Sequence, residues 1–87
     1  MITFKLFAML SDHLPREVDG RSRDGNAIVL DVPEGTKVQQ VIDRFNLPPK
    51  LVHLVLVNGA FIAPEARADH ALVEGDALAI WPPIAGG

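Results

Sequence analysis

One stretch of six residues carries most of the chemistry this sequence can suggest: Pro82-Pro83-Ile84-Ala85-Gly86-Gly87. Two glycines beside a carboxylate carry no Cβ, so a reagent can approach the carbonyl carbon from either side. The two prolines fix φ and remove N–H donors, which ends a strand ladder and favours an extended spacer. Fully extended, six residues reach roughly 20 Å, enough to enter the active site of another protein. A terminal carboxylate has a pKa of about 3.3–3.7 and is ionised at neutral pH. As an anion it is a poor acyl electrophile, so acyl chemistry at Gly87 requires an activating step such as adenylation. Gly87 is therefore the expected reacting residue. Gly86, Ala85, Ile84, Pro83 and Pro82 are the segment expected to enter a partner, with the chain mobile beyond Pro83.

Other reactive residue types have poorer spacing. Ser11-Asp12-His13 holds the side chains of a hydrolytic triad, but a triad is defined by geometry that adjacent residues cannot easily adopt. His13, His53 and His70 lack metal-ligand spacing, and His53, at the start of an apolar run, reads as a partly buried structural histidine. No cysteine is present, so the chain has no disulfide, thiol or thiolate-metal chemistry of its own. We expect no catalytic residue, no metal and no bound cofactor.

The elements that must hold the tail follow from periodicity. The chain has 87 residues, 48% of them hydrophobic, with a net charge of −3. That is enough for one domain with a modest core, here residues 1–81, followed by a tail, 82–87. An acidic balance argues against nucleic acid. No apolar run approaches a membrane span, and the N-terminus lacks a signal-peptide pattern, so a cytoplasmic protein is expected.

Ile2 to Ala8 alternates as a first strand with Ile2, Phe4 and Leu6 on one face, and Met9 to Leu14 can make a short helical turn. Arg16 to Asn26 reads as a loop or hairpin. Its arginines Arg16, Arg21 and Arg23 are either a docking patch or solvated charges beside Glu17, Asp19 and Asp24. Ala27 to Val32 is a second strand. Thr36 and Gln39 fit a capping box ahead of Val38, Val41, Ile42 and Phe45, the apolar stripe of a helix. That helix ends at Asn46 before Pro48-Pro49. Leu51 to Val57 reads as a buried strand, Asn58-Gly59 as a type I′ turn, and Ala60 to Ile62 as the return strand. Pro64 to His70 is a polar connection, and Ala77 to Trp81 is the last strand. Glu65, Asp69, Glu74 and Asp76 make an acidic set suited to solubility or to a basic partner.

Strands in this order with one helix point to an α+β layer pair, a ubiquitin-like β-grasp of about five strands whose last strand can be central. Trp81 and Phe61 are candidate docking residues, since large aromatics often anchor interfaces; both also fit a sheet-face core.

The stretches Val55-Leu56-Val57-Asn58-Gly59 and Glu74-Gly75-Asp76 through Trp81-Pro82-Pro83-Ile84-Ala85-Gly86-Gly87 resemble the ubiquitin-like sulfur carriers of the MoaD/ThiS family. The Pro-Pro-x-x-Gly-Gly ending is most similar to the small subunit of molybdopterin synthase. The resemblance implies a carrier rather than an enzyme. An E1-like adenylyltransferase (MoeB/ThiF type) would activate Gly87 with ATP, a sulfur donor would convert it to a thiocarboxylate, and a large catalytic subunit would take the sulfur into the molybdenum or tungsten cofactor. Sulfur supply to thiamin, cysteine or another metabolite, and conjugation of Gly87 to lysines as a protein modifier, are alternatives that share the tail chemistry up to the adenylate. A regulatory module with a passive tail is a further one.

Overall fold

Alternation along Ile2-Thr3-Phe4-Lys5-Leu6 places three apolar side chains on one side of an extended segment. In the computed structural model, which describes residues 1–83, this is strand β1 (Ile2–Leu6), with Ile2, Phe4 and Leu6 buried. A 3-10 turn follows at Ala8–His13 and buries Leu10. Residues 16–26 form a hairpin of two short strands, β2 (Glu17–Val18) and β3 (Arg21–Ser22). Strand β4 (Ala27–Leu30) lies antiparallel to β1, with Ile2 opposite Leu30. It stops short of Val32, and its pairing with β1 ends at Leu30.

Helix α1 (Val38–Arg44) buries Val38, Val41 and Ile42. The Phe45 ring, just beyond its end, stacks on Phe4 with centroids 5.0 Å apart. The expected capping box is displaced by one residue. Lys37 donates its backbone N–H to Gln40 Oε1 at 2.7 Å, while the Thr36 hydroxyl donates to the Pro33 carbonyl at 2.6 Å and closes the preceding turn. Asn46 ends the helix region with φ 53°, a conformation asparagine tolerates.

Pro49–Leu51 forms another 3-10 turn. Strand β5 (Leu54–Val57) therefore begins three residues later than expected, and only Val55 and Val57 are buried along it. Asn58 and Gly59 have φ 51° and 83°, the left-handed pair that a type I′ turn needs. They lead into β6 (Ala60–Phe61). Strand β7 (Ala77–Trp81) completes a five-stranded sheet in the order β4-β1-β7-β5-β6. It is parallel to β1 and antiparallel to β5, so the strand nearest the tail is central. One sheet with one helix packed across it is the β-grasp expected from the sequence.

Candidate functional site

Strand pairing decides which side chains share the face that α1 leaves open. Residues opposite one another across a ladder point the same way. One row crosses all five strands: Phe61 beside Leu56, Leu56 beside Ala79, Ala79 beside Lys5, and Lys5 beside Ala27. A second row sets Leu54 beside Trp81. The alternate residues of the same strands, among them Phe4, Leu6, Val55, Leu78 and Ile80, are buried on the helix side. The open face is thus predominantly apolar, with Phe61 58% and Val29 41% exposed. Ala77 and Ala79 make its centre low, and Leu56, Phe61 and Trp81 stand higher around it.

The tail exit sits at one end of this face. Trp81 is half-buried, and its indole lies flat on Phe7, with centroids 3.9 Å apart and planes 7° from parallel. Backbone bonds hold both sides of this stack. Phe7 N–H donates to the Ile80 carbonyl at 3.1 Å, and His53 N–H donates to the Trp81 carbonyl at 3.1 Å. Pro82 is buried and Pro83 exposed, so the chain leaves the body between two stiff residues. Ile84, Ala85, Gly86 and Gly87, the reacting end inferred from the sequence, lie outside the described residues.

The structure separates the two readings of the aromatic residues. Phe61 is no core residue, because β6 is an edge strand and its ring projects from the open face. Trp81 is packed on Phe7 and lies on the face that Phe61 shares. His53, expected to be partly buried, is exposed; β5 starts after it, and its backbone rather than its imidazole holds the structure. Asp76 is likewise no surface charge. It is 6% exposed, accepts from Asn58 Nδ2 at 2.8 Å, and accepts from the Val73 N–H at 2.9 Å. Asn58 Oδ1 in turn accepts from the Ala77 N–H at 2.8 Å. This network clamps the β5–β6 turn to the start of β7.

Two arginines turn out to be internal fasteners. Arg23 donates to the carbonyls of Leu14 (2.8 Å), Ser11 (3.1 Å) and Gly25 (2.7 Å), tying the first 3-10 turn to the hairpin. Arg67 is 6% exposed and donates to the carbonyls of His53 at 3.2 Å and Ile62 at 3.4 Å. Burial pushes its pKa below the usual arginine value, and nearby Glu65 pulls it back up. Through His53, Arg67 supports the backbone that holds Trp81. The sequence offered no signal for this role, since both acceptors are backbone carbonyls, one of them fourteen residues away.

Among the described residues, no cluster of three or more His, Cys, Asp or Glu could hold a metal ion, and no helix is long and apolar enough to cross a membrane. The strongest geometric feature remains an open apolar face ending at Trp81-Pro82. The sequence profile of the ThiS family matches residues 15–87. The chain belongs to the ThiS family. Its fold agrees with a solved structure, that of SAMP1 from Haloferax volcanii, with a TM-score of 0.65 and 24% sequence identity over 99% of this chain and 98% of the other. At that identity the likeness speaks for the shared β-grasp. A comparison with curated protein sequences gives no significant match. This ThiS-family chain therefore pairs a ubiquitin-like body with an uncovered sheet face beside the segment that leads to Gly86-Gly87.

Proposed function

We propose that this protein is a cytoplasmic sulfur carrier whose Gly87 carboxylate is adenylated and then converted to a thiocarboxylate. The observation that carries the reading is the junction at Trp81-Pro82. The central strand of the sheet ends there, beside an open apolar face, and the ThiS-family match runs through Gly87. A partner seated on that face would find the tail delivered to its active site.

The chemistry balances with a nucleotide and a sulfur donor supplied by partners. An E1-like adenylyltransferase joins the Gly87 carboxylate to the α-phosphate of ATP and releases pyrophosphate. A persulfide or sulfide sulfur attacks the mixed anhydride, AMP leaves, and any persulfide is cleaved by a reductant. The sulfur-accepting synthase takes the sulfur, and water restores the carboxylate. The body contributes position, and it has no cysteine that could compete for the sulfur. The Pro82-Pro83 pair ahead of the glycines favours molybdopterin as the product that receives the sulfur, with the large catalytic subunit of its synthase as the second partner.

The test is the intact mass of the chain purified from its own cells under non-oxidising conditions. A C-terminal fragment heavier by one oxygen-to-sulfur exchange is expected, and it should vanish when Gly87 is deleted. Free acid alone, even after incubation with the adenylyltransferase, ATP and sulfide, would remove the carrier reading. Lysine-linked adducts in its place would make the protein a modifier.

A further inference from the structure

The open face carries one charge among the side chains that the five strands project onto it, and that charge is Lys5. It stands in β1 between Ala79 of β7 and Ala27 of β4, half-buried, and it makes no ion pair with any described residue. Its aliphatic stem can lie over the neighbouring alanines while the ammonium reaches water. That arrangement suits the free protein. It does not suit a complex in which an apolar partner covers the face, because an ammonium stripped of water and left unpaired is strongly unfavourable.

We infer that the partner docking on this face presents a carboxylate to Lys5, set within an apolar surface that receives Phe61 and Trp81. The inference rests on the carrier reading and deepens it, by giving the activating enzyme's contact surface a chemistry and a spacing. Phe61 and Lys5 share one cross-strand row, three strand spacings apart, which is about 14 Å. The partner must therefore hold an apolar pocket and an acidic side chain about that far from one another. Lys5 is then a specificity residue, since a basic or purely apolar surface would leave like charges opposed or the ammonium unpaired.

The probe is the E1-like adenylyltransferase encoded in the same genome, with the full chain as substrate. Lys5→Glu should raise KM in ATP–pyrophosphate exchange by about tenfold or more with kcat little changed. Lys5→Arg should restore most of the affinity, and Lys5→Gln should remove much of the salt dependence of binding. Unchanged thermal melting of the three variants separates docking from folding. Kd is also measured directly in the absence of ATP on a chain lacking Gly87, which keeps the docking face but ends one residue short of the reacting position. If the wild-type chain binds but is never adenylated, the carrier reading fails while the charge effect on Kd still judges Lys5. If Lys5→Glu binds within about twofold of wild type at low salt, or the enzyme does not bind the wild-type chain at all, the inference is overturned.

Discussion

The two faces of the sheet are built from alternating residues of the same strands, yet they answer to different demands. On the helix side, Phe4, Leu6, Val55, Leu78 and Ile80 are buried, and their sizes are constrained by close packing. On the open side, Lys5, Leu54, Leu56, Ala79 and Trp81 are half-buried and Phe61 is exposed. Apolar side chains here contribute less to folding than those on the helix side, since water still reaches part of them. In the proposed carrier role, their remaining exposed surface is what a partner would cover. Within one strand, every second residue thus packs in the core, and the others face outward, where the proposed carrier role would use them for recognition.

The comparison is broken most directly at its inner face. Phe4→Ala should lower the unfolding free energy by about 3–5 kcal/mol, a large share of the stability of a domain this size. Chemical denaturation measures it, and a loss below about 1 kcal/mol would mean that the helix side is not the core. Next comes the outer face. Phe61→Ala should weaken binding to the activating enzyme by about 2 kcal/mol while leaving unfolding within about 0.5 kcal/mol. Calorimetric titration and denaturation on the same sample check both, and the reverse pattern would dissolve the distinction. An effect of comparable size is expected where the faces meet the loops. Asn58→Ala removes the hydrogen bonds to Asp76 and to the Ala77 N–H, and should cost about 1–3 kcal/mol, read as a lower melting temperature and faster amide exchange at Ala77. The smallest change sharpens the contrast: Val29→Thr, on the open face far from Trp81, should shift stability and partner binding each by less than about 0.5 kcal/mol.

Much of this architecture is legible in the sequence because its signals are local. The Ile2-Phe4-Leu6 alternation, the Val38-Val41-Ile42-Phe45 stripe and Asn58-Gly59 each specify their own conformation within a few residues. What the sequence hides depends on which partners the fold brings within reach. Leu54 and Leu56 sit in an unbroken apolar run, so nothing in the run says that α1 covers only the alternate face. Arg67 looks like a polar loop residue until the carbonyls of His53 and Ile62 come into reach. Asp76 reads as surface charge until Asn58 folds back onto it. Thr36 matches a cap by type and spacing, but its hydroxyl is taken by Pro33, and the helix starts one residue on. For the candidate site, the residue types at Trp81 and Phe61 were visible in advance, whereas their common face and the lone cation beside them emerge only from the register.

The placement of β7 has a mechanical consequence. An enzyme that draws the chain end into its active site pulls on the last residue of the central strand. That load runs along the strand, and the hydrogen bonds to β1 on one side and β5 on the other lie across it. Bonds loaded in this way share the force and must yield together, whereas an edge strand could be peeled away one bond at a time. In the proposed carrier role, the body could therefore be gripped by its end, handed between enzymes and released without unravelling.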